Sequence, residues 1–400
     1  MYQRLIFSLS TGLVALACGC SSSGDGDGTG GAGGTSGGTG ANGGGTGTTG
    51  TMGTGANGGG TSDVCAIAKH GAPISTAKGT APSIVAMADG YAVAWADTSS
   101  ADGDILLALV GADGSVHKRV PIATGPEVSS HVSIAHVGED LLVVWQDDEG
   151  TGSVVRAQRL EPDGSLSGGV VDLAQSAVQE SWPVAGGTSN GAAVVWMDQG
   201  GGRLGLTNAA GAVSSTVPVN GARFPGLSTE GEQIGIAWSE TTTLGFGRPD
   251  GSGVMTPLHH DGVAAMITRV ALGDGAGYVF WEDGRAGEGS EQIYALRVAP
   301  DGAVGSEMIV PSAGGSANWP APVWTGTHVA VAYYQFREGP PSVFLELLTP
   351  DMKPAGVDME VSGDAAARFP ALAWHPVHKE LAVTYAERDG NIYLTTVSCP

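Results

Sequence analysis

The chain is poor in cations: 18 Lys and Arg stand against 40 Asp and Glu in 400 residues, a net charge of −22. Too few basic side chains exist to neutralise a phosphate track, which excludes nucleic acid as a partner. The same deficit argues against peripheral binding to anionic lipid. Charged residues are 14% in all and aromatics 6%. Only four cysteines occur, and no C-x-x-C or H-E-x-x-H metal pattern is present. No helix-period stretch with caps follows residue 63. What is plentiful is glycine, 67 residues, and apolar side chains, 42%. That apolar content is ample for a core and excludes a chain that is disordered throughout.

Residues 1–20 carry Arg4 ahead of a short apolar run, Leu5 to Ala17. This is the layout of a secretory signal, and the run is too short to cross a bilayer. Ala15-Leu16-Ala17-Cys18 and Ala17-Cys18-Gly19-Cys20 each resemble the lipobox of bacterial lipoproteins, in which the cysteine carries diacylglycerol after cleavage. Neither has Leu three residues before the Cys. Cleavage before Cys20 leaves no odd thiol, which favours Cys20 over Cys18. The expectation is an exported chain anchored in the cell envelope by acyl groups. The small residue after either cysteine, Gly19 or Ser21, points to the outer membrane or cell surface.

Residues 21–62 are Gly, Ser and Thr with almost no large apolar side chain. Such a segment cannot bury enough surface to offset its conformational entropy, so it reads as a flexible linker. Its Gly-Asp-Gly-Asp-Gly at 24–28 reads as low complexity rather than as a calcium loop.

From residue 63 one pattern recurs: YAVAW (91–95), LLVVW (141–145), AAVVW (192–196), IGIAW (234–238), GYVFW (277–281), HVAVAYY (328–334) and LAVTY (381–385). Successive strand-end aromatics are 50, 51, 42, 43, 52 and 52 residues apart. Periods of this size mean a propeller or a solenoid, and the all-strand composition selects the propeller. Each repeat supplies four short strands. Asp113-Gly114, Asp163-Gly164, Asp250-Gly251 and Asp301-Gly302 mark the turn between the third and fourth; Met352 replaces Gly in the sixth repeat. Pro presets φ and Asp-Gly accepts positive φ, which is hairpin chemistry. Trp95, Trp145, Trp196, Trp238 and Trp281 read as core between blades. The predicted fold is all-β: a seven-bladed β-propeller of four-stranded antiparallel blades over residues 63–400.

The seventh repeat ends without its fourth strand. KHGAPISTA (69–77) aligns with the fourth strand HKRVPIATG (117–125), so the start of the domain is expected to complete the last blade. The same alignments place Cys65 and Cys399 on either side of the hairpin turn which that blade lacks. A Cys65–Cys399 disulfide there replaces the turn covalently, as an exported protein allows.

Trp281-Glu282-Asp283-Gly284-Arg285, then Ile293-Tyr294-Ala295-Leu296-Arg297 and Pro300-Asp301-Gly302, resembles repeats of uncharacterised myxobacterial lipoproteins. The Gly/Thr-rich linker is typical of the same group. The resemblance spans nearly the whole chain and implies a lipid-anchored propeller; propellers host many activities, so it assigns none. Propeller geometry implies that the loops entering the first strand of each blade share the channel face with those joining the second and third.

Four inner strands begin with aromatic-Pro: Trp182-Pro183, Phe224-Pro225, Trp319-Pro320 and Phe369-Pro370. Their rings are ligand-binding candidates at the channel mouth, with plain packing between blades as the alternative. Acidic residues on the same face, Asp147, Asp148, Glu282 and Asp283, are weak candidates for Ca²⁺; solvated loops are the alternative, and no cofactor is expected. Gly187-Thr188-Ser189-Asn190-Gly191 matches G-x-S-x-G but lies in a hairpin, not a strand-to-helix elbow. His259-His260-Asp261, near the end of a fourth strand, is a possible metal or acid–base cluster, with an exposed turn as the alternative; His375 and His378 fall in another turn. No catalytic residue is assigned. The expected function is a binding or scaffold module at the envelope, taking a glycan, peptide or protein. The alternative is a hydrolase of the glycosidase or sialidase kind, although the S-x-D-x-G-x-T-W turn of sialidase repeats is absent.

Overall fold

A computed structural model describes residues 65–399, apart from 77, 100–102, 241–242, 248–255, 260–264, 286, 288, 312–314, 338 and 364–365. The signal segment, the linker, Cys18 and Cys20 lie outside the described residues. Among the described residues, 28 strands form seven four-stranded antiparallel sheets. The innermost strands are β2 (Gly79–Met87), β6 (Val128–Val137), β10 (Val184–Thr188), β14 (Arg223–Glu230), β18 (Ala265–Gly273), β22 (Ser316–Trp324) and β26 (Ala367–His375). Each packs on the next, and β26 packs on β2, so the ring closes. Six blades use four consecutive strands. The seventh pairs β26, β27 (Glu380–Glu387) and β28 (Ile392–Ser398) with β1 (Ala66–Pro73), the strand from the start of the domain.

The second strand of each blade is the core. The whole of β3 (Gly90–Asp97) and of β19 (Ala276–Asp283) is buried, because blades cover both of its faces. Trp95, Trp145, Trp196, Trp238, Trp281, Tyr333 and Tyr385 are at most 4% exposed. Burying a side chain of this size contributes roughly 2–3 kcal/mol. What opposes each ring on the third strand varies. Trp281 stacks on Tyr294, Tyr333 on Phe344 and Tyr385 on Tyr393. Trp238 instead lies over Gly245, where a Cβ would come within 1.9 Å of the indole.

Three of the Asp-Gly turns adopt one geometry, and Asp250-Gly251 lies outside the described residues. Gly164 N–H donates to the Glu161 carbonyl at 2.9 Å, and Asp163 Oδ1 accepts from Ser165 N–H at 2.7 Å. Gly164 sits at φ +76°, Gly114 at +75° and Gly302 at +84°, the left-handed position that closes a three-residue hairpin. Met352 occupies that position at φ +60° with its side chain buried in the core between blades five and six.

In the closing blade a Cys65–Cys399 disulfide spans 334 residues where the other blades have the turn. Fully buried Ile74 and Ser75 finish the seam: Ile74 N–H donates to the Ile392 carbonyl and Ile392 N–H to Ser75 Oγ, both at 2.8 Å. The remainder of β1 is exposed or half-buried.

Candidate functional site

Every inner strand carries the same irregularity at its start or, for β10, just before it. One non-glycine residue turns left-handed: Ala81, His131, Trp182, Phe224, Ile267, Trp319 and Phe369, with φ between +45° and +57°. In six blades the ladder to the second strand skips at this point, as between Thr80 and Ser83 or Asn318 and Ala321. This is a bulge repeated around the ring, and it turns one residue per blade toward the axis. Holding a non-glycine residue there costs on the order of 1–2 kcal/mol.

The preceding blade supports the bulge. Gln146 Oε1 accepts from the N–H groups of Ser181 at 2.8 Å and Trp182 at 3.0 Å. Phe224 N–H points at Met197 Sδ at 3.2 Å, and Trp319 N–H donates to Glu282 Oε2 at 3.2 Å. Gln146, Met197 and Glu282 each directly follow a strand-end Trp. The repeat that builds the core therefore also supplies the acceptor for the next blade's ring residue.

The four sequence candidates meet. Trp182 touches Phe224 with centroids 5.7 Å apart, edge to face, and Trp319 from across the ring at 5.8 Å. Trp319 meets Phe369 at 5.0 Å. All four are half-buried. His131, which the aromatic-Pro pattern misses, packs on Trp182 at 4.2 Å. Tyr334 extends the cluster from Phe369, at 6.2 Å. A cavity of about 240 Å³ lies against the rings of His131, Trp182, Phe224 and Trp319 and the inner-strand residues below them.

Charge at this mouth is sparse and desolvated. His131 Nε2 lies 3.4 Å from Glu180 Oε2, yet burial and the nearby Arg269 pull the imidazole down to about 4, so it is neutral at pH 7. Burial raises Glu180 above the ordinary carboxyl range. Glu282 is 8% exposed, and burial pushes it up to about 7. Arg269 sits over Trp319, 5.7 Å from the ring centre, and burial lowers it to about 10, still a cation at neutral pH.

Three of the acidic candidates for Ca²⁺ are engaged within their own blades, and the fourth, Glu282, with Trp319 N–H of the next blade. Asp147 is paired with Arg156 and accepts from Ser129 Oγ at 2.5 Å. Asp148 accepts from the backbone of Gly150 at 2.6 Å. Asp283 is fully buried under Arg285, which bonds it through Nε at 3.0 Å and Nη2 at 2.8 Å. Among the described residues no three His, Cys, Asp or Glu side chains are placed to share a metal. His375 is buried, edge-on to Tyr91, with His378 beside it. Residues 188–191 form a hairpin, and His260 and Asp261 lie outside the described residues.

No protein-family model matches the sequence, and no curated protein matches it. Solved structures do resemble it in shape. The Cps50 (Swd1) β-propeller domain of Myceliophteria thermophila aligns at 11% identity and a TM-score of 0.51, over 81% of this chain and 98% of that one. The WD40 domain of Toxoplasma gondii coronin aligns at 13% identity and 0.47, over 84% and 88%. Trypanosoma rangeli sialidase aligns at 10% identity and 0.42, over 80% of this chain and 54% of that one. The first of these likenesses supports the propeller fold, and the fold alone.

Proposed function

We propose that this protein is a binding module of the bacterial cell envelope that takes a glycan or peptide at its channel mouth. The observation that carries this is the composition of the ring position. Ala81 and Ile267 hold the same left-handed bulge as Trp182 and Trp319, so the backbone does not demand an aromatic there. Large rings nevertheless occupy four of the seven places, half-exposed and in mutual contact, and three of them line a cavity. Rigid aromatic faces beside a concavity are what ligand recognition uses.

Export and anchoring form part of the proposal. The signal-like start, the lipobox-like residues ending at Cys20 or Cys18, and the resemblance to myxobacterial lipoproteins support it. A disulfide across the closing blade suits an oxidising compartment. The linker would then present the propeller away from the membrane surface. A hydrolase reading would draw on Glu282, whose carboxyl is tuned near neutrality. One oxygen of Glu282 is committed to Trp319 N–H, which makes it a support of the ring rather than a free acid.

The test is a glycan and peptide array with the oxidised protein. Selective binding that is lost in Trp182→Ala or Trp319→Ala carries the proposal. Binding indifferent to both substitutions returns the rings to packing.

A further inference from the structure

Two residues after the ring position, the chain lines the channel. Across the blades this column reads Ser83, Ser133, Val184, Gly226, Arg269, Ala321 and Ala371. Six are small or apolar and one is a long cation. Arg269 borders the cavity and lies over Trp319. Its guanidinium donates one hydrogen bond, at 2.9 Å, to the carbonyl of neighbouring Thr268, and among the described residues no carboxylate lies within 4 Å of it. A guanidinium has five N–H donors in a planar fork, and Arg269 is half-buried, so the donors that Thr268 does not use are open to water or to a ligand in the cavity. Within the fold Glu282 is the acid that acts on this charge; the bulge itself does not require it, because the blades on either side make the same bulge with Gly226 and Ala321.

The surroundings indicate what completes it. A planar fork matches a carboxylate through two parallel hydrogen bonds. The cavity of about 240 Å³ equals roughly eight water volumes, room for a molecule of about a dozen non-hydrogen atoms. The channel edges of the inner strands are partly closed to an extended peptide. Ser83 Oγ accepts from Ile134 N–H at 3.2 Å, and Ser133 Oγ accepts from Ala185 N–H at 3.0 Å. Trp182 and Trp319 offer flat apolar faces to a compact ring.

We propose that the mouth takes a sugar acid: one pyranose whose carboxylate pairs with Arg269 while its C–H face packs on Trp182 and Trp319. This rests on the mouth being a binding site.

The experiment is calorimetric titration of the oxidised full chain with methyl glucuronoside and methyl galacturonoside. The controls are their primary amides, the neutral methyl hexosides and a short peptide with a free C-terminal carboxylate. The acid is expected to bind about tenfold or more tightly than its amide, as loss of a charge-assisted hydrogen bond implies. Arg269→Met should erase that preference and Arg269→Lys should keep part of it. Should Arg269→Met fail to fold, the comparison of acid with amide on the unsubstituted protein decides alone. Equal affinity for acid, amide and neutral hexoside overturns the role of Arg269 and leaves the aromatic site standing. Tighter binding of the peptide overturns the sugar. Binding of none overturns the inference and weighs against the site itself.

Discussion

Removing the Cys65–Cys399 disulfide should loosen one strand first and lower the stability of the whole ring. The perturbation is the double substitution Cys65→Ser, Cys399→Ser. The bond closes a loop of 334 residues. In the chain-entropy description a loop of that length restricts the unfolded state by about 6 kcal/mol, a ceiling that residual structure lowers. The structure also shows where the loss begins. Along β1, Lys69 and His70 are exposed and Ile67 is only half-buried, so little apolar surface holds the strand once the covalent link is gone. Ile74 and the ladder to β28 are what remain. Urea unfolding followed by tryptophan fluorescence should show the midpoint falling by about 1–2 M for a domain of this size. Hydrogen exchange should show the amides of residues 66–73 exchanging faster than those of β27. Coincident midpoints for the oxidised and substituted proteins would refute the reasoning. So would equal protection of β1 in both, because the seam would then be held by side-chain packing.

Two further outcomes test the core and the mouth separately. Gly245→Ala places a methyl within 1.9 Å of the Trp238 ring in a closed interface, and should cost about 1–3 kcal/mol, read as a lower Tm with unchanged ligand binding. Glu282 carries a folded pKa of about 7 against an ordinary value of 4.5. Between those values the native state keeps a proton that the unfolded chain has released, so its contribution is fully present below about pH 4.5 and lost as pH rises through 7. Glu282→Gln should therefore flatten the decline in stability between pH 4.5 and 7, by at most about 3 kcal/mol; parallel pH curves for the two proteins would show that burial does not tune this carboxyl.

The architecture was readable because its signals are chemical and repeat. A strand-end aromatic every 42 to 52 residues, followed in four of the repeats by an Asp-Gly turn, marks seven blades, and the structure has seven sheets. The closing strand and the disulfide followed from aligning the segments around the turn between third and fourth strands in different repeats, and β1 pairs with β28 as that alignment requires. The outer strands were less legible. The closing strand runs over 66–73 instead of the expected 69–77. Outer strands bury few side chains, so few residues register where they start and stop.

The ring position was half legible for a different reason. Trp182, Phe224, Trp319 and Phe369 announce themselves by the proline that follows, but Ala81, His131 and Ile267 share the position without sharing a residue type. What unites the seven is a backbone conformation, φ near +50°, which no residue preference reveals when the fold rather than the side chain imposes it. Arg269 is hidden for a related reason: it is unusual only against its column of small residues, and that column becomes visible once the bulge fixes the register. A propeller converts one column of a repeat into a circle about its axis. A substitution in such a column leaves the blade intact and changes one seventh of the mouth. If the mouth binds a ligand, as proposed, the positions that vary most in chemistry while keeping one backbone geometry are where recognition is written, and in this chain those are the ring position and the residue two beyond it.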